Sequence, residues 1–163
     1  MRNGTINGFY RGIWFEGNSS SWGLVERLRV QEIGHVGIRV EGIGHVVRGN
    51  QVVDVVGIHD PANGSDGGAA AIAAFGSAIS ISNNDVLNTK ATGVGNGEGI
   101  LLNPSDHAVV ENNRVINVSG PTNSWGIYIG FSSDVMVSVY RVRLPASTSS
   151  NIAGPSVARF TPN

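Results

Sequence analysis

Apolar and polar residues alternate along most of the chain in short runs of three to six, and the apolar positions are largely β-branched. Val52 to Val56, Ile79 to Ile81 and Val115 to Val118 are examples. Alternation of this length predicts half-buried strands, because side chains of a strand point to opposite faces in turn. No ten-residue window carries a helical period. The nearest rival is the alanine-rich "GGAAAIAAFG" at residues 67 to 76, whose glycines and β-branched isoleucine argue against a helix.

The strands recur in units. A glycine-isoleucine pair opens the pattern at Gly12-Ile13, Gly37-Ile38, Gly99-Ile100 and Gly126-Ile127, and Ala71-Ile72 fills the gap, with offsets of 25, 34, 28 and 27 residues. A second landmark follows each isoleucine by about twelve to fifteen residues. Asn50, Asn84 and Asn113 hold it in "GNQVVDV", "NNDVLNT" and "ENNRVINV", with Leu28 at the same position in the first repeat and Tyr140 in the last. Periods of 20 to 50 residues mark solenoids, propellers or arrays. Strands this short and a period this close to one turn predict an all-β parallel β-helix, in which each repeat is one coil of two or three strands. The asparagines in "VVENNRVINVSG" then have a task. At a sharp bend between strands an asparagine can take the left-handed conformation and hydrogen-bond to its equivalent one coil away. Asn50, Asn84 and Asn113 are the expected structural ladder, with Asn83, Asn112 and Gly49 serving the same bend; three unrelated loop asparagines are the alternative.

The opening "NGTINGFYRGIWFEG" and the repeat that follows, over roughly residues 3 to 143, resemble the right-handed parallel β-helix proteins of the pectin lyase-like superfamily, including their parallel β-helix repeat and pectate-lyase-like members. The resemblance implies a single-stranded right-handed solenoid of about five to six short coils, an association with polysaccharide, and an extracellular or periplasmic setting. Residues 1 to 143 form the expected β-helix domain. Residues 144 to 163, with three of the six prolines, drop the repeat and are expected to cap the open end or be partly disordered. Because Met1 falls almost directly into a coil, the sequence also suggests an excised segment, or an end buried against another chain in a homo-oligomer.

Composition narrows the partners. Only 14% of the 163 residues are charged and the formal net charge is -1, so bulk electrostatics point to neither nucleic acid nor an anionic membrane. With no cysteine there are no disulfides or thiolate-held metals. Residues 1 to 30 lack the basic, apolar, small-residue order of a signal peptide.

On the strand after each glycine-isoleucine pair, Ile13, Phe15, Ile38, Val40, Ile72, Ala74, Ile100, Leu102, Ile127 and Ile129 are expected inside. Trp14, Arg39, Ala73, Leu101 and Tyr128 should stack outside as one row, and Glu16, Glu41, Phe75, Asn103 and Gly130 as a second. Proteins of the resembled superfamily hold polysaccharide along an outer sheet face. Aromatic faces favour sugar C–H surfaces and arginines pair with uronate carboxylates, which makes Trp14, Glu16, Arg39, Glu41 and Tyr128 candidate substrate-binding residues for an acidic polysaccharide. The alternative is an apolar outer face covered by a loop or another subunit.

The longest insertion, residues 57 to 71, contains His59-Asp60-Pro61, an imidazole beside a carboxylate and a candidate catalytic base with its partner. It is distantly similar to the Asp-Pro-His-Asp motif of mannuronan epimerases; a surface Asp-Pro turn is the alternative. The aspartate, histidine and arginine-lysine elements of polygalacturonase-type hydrolases are absent, as is the Arg-x-Pro-x-x-Arg stretch of calcium-dependent pectate lyases. His35 and His45, in a duplicated "IGHV", read as loop histidines satisfied by backbone rather than metal ligands. Asp106-His107 and Glu98 have no supporting motif. No cofactor is expected, although calcium held by Asp60, Asp66 and loop carbonyls is chemically sensible. Two functions follow: a non-catalytic or vestigial carbohydrate-associated scaffold, one form of which is a fragment of a larger polysaccharide-modifying protein, or a polysaccharide lyase or uronate epimerase working in an outer groove.

Overall fold

The computed structural model describes residues 1–60, 62, 64–139, 141–143, 150–153 and 159–162. The first strands are β1 (Arg2–Asn7), β2 (Arg11–Phe15), β3 (Leu24–Ile33), β4 (Val36–Ile43), β5 (Val46–Arg48) and β6 (Gln51–Val56). The insertion holds β7 (His59–Asp60) and β8 (Ser65–Asp66). Then come β9 (Ala69–Ser77), β10 (Ser80–Ser82), β11 (Asp85–Lys90), β12 (Gly97–Asp106), β13 (Val109–Glu111), β14 (Arg114–Ser119) and β15 (Ser124–Ile129). Last are β16 (Met136–Val139), β17 (Arg141–Arg143), β18 (Ser150–Ala153) and β19 (Arg159–Pro162). No α-helix occurs among the described residues, and "GGAAAIAAFG" is strand β9 for most of its length.

Two parallel sheets account for all but the β7–β8 hairpin, which is antiparallel. The six-stranded sheet runs β18-β15-β12-β9-β4-β2, and the larger one runs β17-β14-β11-β6-β3-β5-β10-β13-β16-β19 with β1 on β3. Strand β3 joins the two arms of the larger sheet. Its first half pairs Leu24 to Glu26 with β5, its second half pairs Arg29 to Ile33 with β6, and Arg27 between them has φ 54°. Two strands lie within the C-terminal segment: β18 pairs with β15 and β19 with β16, both in parallel. The rest of that segment, and Tyr140, lie outside the described residues.

The register explains the core. Ile13, Ile38, Ile72, Ile100 and Ile127 are successive partners in the six-stranded sheet, and all five are buried. Val25, Val47, Ile81, Val110 and Val137 repeat this in one arm of the larger sheet, as do Val30, Val52, Val86 and Val115 in the other. All belong to one core cluster. Each buried side chain contributes roughly 1.5–3 kcal/mol, so the core is a stack of like residues in which each repeat covers the next. The glycine before each isoleucine has a steric cause. A Cβ on Gly12 would sit 2.4 Å from the Gly37 carbonyl oxygen, and one on Gly99 2.5 Å from that of Gly126.

Bends recur in three columns, each marked by left-handed residues. One holds Trp22, Gly44, Ala78, His107 and Asp134; the second Asn3, Arg27, Gly49, Asn83 and Asn112; the third Gly8, Glu32, Asp54, Asn88 and Asn117. Only glycine, asparagine and aspartate take this conformation readily, and other residues are held there at about 1–2 kcal/mol. The structure corrects one expectation here. The landmark asparagines are not themselves left-handed; the residue before each one is, at Gly49, Asn83 and Asn112. That residue turns the chain, and the turn sends the following asparagine inward. Asn50, Asn84 and Asn113 are buried and hydrogen-bonded in series. Asn50 Nδ2 donates to Asn84 Oδ1 at 3.0 Å, and Asn84 Nδ2 donates to Asn113 Oδ1 at 3.0 Å. Each side-chain oxygen also accepts the backbone N–H of the preceding repeat, beginning with Leu28 to Asn50 at 3.0 Å. Their amides donate in addition to the carbonyls of Val25, Val47 and Ile81.

Candidate functional site

The outer face of the six-stranded sheet gathers the aromatic and charged residues. Trp14, Arg39, Ala73, Leu101 and Tyr128 are cross-strand partners in one row, as the alternation predicts. Glu41 pairs with Phe75 in the second row, but the register shifts between Leu102 and Ser105 and takes Asn103 out of it. Glu16 lies beyond the end of β2 and is exposed.

At one end of this face the charges are already matched. Arg39 Nε donates to Glu41 Oε1 at 2.5 Å, the Trp14 indole donates to the same oxygen at 3.0 Å, and the Gly17 N–H donates to Glu41 Oε2 at 3.0 Å. Burial alone would raise the Glu41 pKa, but these three donors outweigh it and hold the carboxyl below its ordinary value. The Arg39 guanidinium lies 4.3 Å from the Phe75 ring centroid and 5.1 Å from that of Trp14, and that of Arg11 lies 4.5 Å from Trp14. Such cation–π contacts hold guanidinium and ring in a fixed arrangement. Toward the other end, Trp125 and Tyr128 pack with centroids 4.7 Å apart.

Between these ends the face is hollow. A pocket of about 180 Å³ is lined by His35, Arg39, Asp66, Phe75, Glu98 and Leu101 around a floor of Ala70 and Ala73. The hollow follows from sequence: the third repeat has alanine where its neighbours have Arg39 and Leu101 on one row and Val36 and Glu98 on the other. Val36, Ala70 and Ala73, with Phe75 and Leu101, form an apolar cluster separate from the main core. The end of the insertion covers one side. Gly68 donates its N–H to Asp66 Oδ1 at 2.8 Å, and its carbonyl lies 3.0 Å from His35 Nδ1, which must carry the proton in that contact. Tyr10 stacks on His35 at 5.3 Å. Burial, with the nearby Asp66 charge second, raises the Glu98 pKa to about 7.

The insertion does not bring His59 and Asp60 together. In the β7–β8 hairpin His59 opposes Asp66 and Asp60 opposes Ser65, so the two alternate between faces. His59 lies against Gly93, whereas Asp60 lines a different hollow with Tyr10, Arg11, Ile58 and Ser65. Pro61 lies outside the described residues. Asp60 and Asp66 likewise fall on opposite faces, and the described residues contain no group of three or more histidines and carboxylates placed to hold a metal ion. His35 and His45 are satisfied by backbone, His45 accepting the Gly23 N–H at Nδ1 and lying 2.8 Å from the Glu41 carbonyl at Nε2. The sequence passed over Glu98, which stands in no motif. The available signal was the pair of alanines in an otherwise bulky outer row, directly after the longest insertion. The chain matches no protein-family model, no curated protein and no solved structure.

Proposed function

We propose that the chain is a right-handed parallel β-helix of the pectin lyase-like kind, acting as a non-catalytic, carbohydrate-associated scaffold within a polysaccharide-modifying system outside the cytoplasm. The observation that carries this is the outer face itself, where Arg11, Trp14, Arg39 and Phe75 interleave cation and ring and Trp125 and Tyr128 continue the aromatic surface one repeat after Leu101. Flat apolar rings beside fixed donors suit a pyranose, which has C–H faces and a hydroxyl rim.

The geometry supports binding over lyase or epimerase chemistry. Those reactions need a cation free to neutralise the substrate carboxylate and a base beside it. Arg39 is already paired with Glu41, and His59 and Asp60 point to opposite faces of β7. Proton NMR of soluble neutral, acidic and amino-substituted glycans mixed with the protein is the test. Line broadening that is lost in Trp14→Ala and Tyr128→Ala is expected, without new olefinic or inverted-centre signals. Product signals would replace the scaffold by an enzyme, and sharp, unchanged lines for every glycan would remove carbohydrate from the proposal.

A further inference from the structure

The pocket over Ala70 and Ala73 has an uneven charge distribution. Glu98 makes no hydrogen bond or ion pair among the described residues, although it is largely covered and stands between Ala70 and Trp125 in register. Among the described residues, the Asp66 carboxylate, the second on the rim, accepts only from the Gly68 N–H. The one cation on the wall, Arg39, is neutralised by Glu41 on its own strand, and the remaining titratable group, His35, has its Nδ1 proton turned to the Gly68 carbonyl. The floor is apolar and the space is smaller than a drug-sized site, with room for one ring.

We propose that this pocket binds a protonated amine carried on a sugar ring, so that the glycan recognised by the outer face is one with free amino groups rather than uronate carboxylates. The inference rests on the carbohydrate reading above and names its substrate class. An ammonium group placed between Glu98 and Asp66 supplies Glu98 with the donor it lacks and gives Asp66 a cation to face, while the ring body covers Ala70, Ala73 and Leu101. Coverage of the carboxylates by the ring strengthens the charge-assisted hydrogen bonds. A uronate in the same place would set a third carboxylate beside two others. Binding a cation also favours the ionised form of Glu98, so proton release accompanies binding near pH 7.

Calorimetry of the intact chain with three tetrasaccharides tests this: β-1,4-linked glucosamine, its fully N-acetylated counterpart, and galacturonate. The glucosamine tetramer is expected to bind at least tenfold more tightly than either other. Glu98→Gln should remove that preference while leaving the N-acetylated tetramer within about twofold, and Ala70→Leu, which fills the floor, should abolish glucosamine binding with the far-UV spectrum unchanged. If the N-acetylated or galacturonate tetramer binds as well as glucosamine and Trp14→Ala weakens it, the amine inference falls and the carbohydrate scaffold stands. If no tetramer binds, both fall. Glucosamine binding that survives Glu98→Gln overturns the assignment of the pocket.

Discussion

Asn84 and Asn88 lie on either side of the same short stretch of β11, and both pair side-chain amides with equivalents in neighbouring repeats. Asn84 is buried, and its amide and backbone make bonds to Asn50, Asn113 and the Val47 carbonyl. Asn88 is exposed; it donates to Asp54 Oδ1 at 2.8 Å and accepts from Asn117 Nδ2 at 2.8 Å. The contacts are alike on paper, yet water can replace those of Asn88 and cannot reach those of Asn84. Burial, rather than the count of hydrogen bonds, decides which column holds the repeats together.

The most severe way to break the comparison is Asn84→Ala. It leaves the Asn50 amide, the Asn50 N–H and the Val47 carbonyl without their partner inside the core, and a loss of about 3 kcal/mol or more is expected in urea unfolding. Glu98 sharpens the contrast as a polar group that is covered but unpartnered. Its proton is held more tightly in the folded protein than in the unfolded chain between pH 4.5 and about 7, so folding stability falls as pH rises through that window and stays lower above it. Glu98→Gln should therefore stabilise the protein at pH 8 relative to pH 4 by about 3 kcal/mol, read from thermal melts at the two pH values. At the bend itself, Asn83→Ala should cost about 1 kcal/mol and Asn83→Gly much less, because φ is 55° there. The smallest effect is expected from Asn88→Gly, which removes the exposed amide bonds but keeps the left-handed backbone at φ 57°, within about 0.5 kcal/mol by the same denaturation assay. A loss at Asn88 equal to that at Asn84 would contradict the role given to burial.

Much of this was legible before the structure. The glycine-isoleucine pairs set the register of the six-stranded sheet because the close approach of one repeat to the next forbids a Cβ at Gly12 and Gly99. The asparagine landmarks marked the buried column, since no apolar side chain can accept the backbone N–H groups of Leu28, Asn50 and Asn84, each of which donates to the asparagine of the next repeat. What the sequence hid was the division of labour at the bend, where Asn83 turns and Asn84 pairs; two adjacent asparagines look alike without their φ values. It also hid the pocket. Its floor, rim and cover come from β9, β4, β12 and the hairpin, and the depth of the hollow depends on Ala73 sitting between Arg39 and Leu101, a relation between strands that no local motif expresses. His59 and Asp60 show the converse: adjacent in sequence, they point to opposite faces of β7.

The β7–β8 hairpin has a kinetic consequence as well. Every other strand pair described joins segments from different repeats, so those pairs wait on closing long stretches of chain, and topologies of that kind fold slowly. The hairpin spans His59 to Asp66 and can close on the timescale of roughly 1–10 μs, long before two repeats have met. Among the strand pairs described, the cover of the pocket is thus the one that closes locally, and its ties to the stack, from the Val94 N–H to the Asp66 carbonyl at 3.1 Å and from the Thr92 N–H to that of Gly67 at 2.8 Å, wait for the next repeat to arrive.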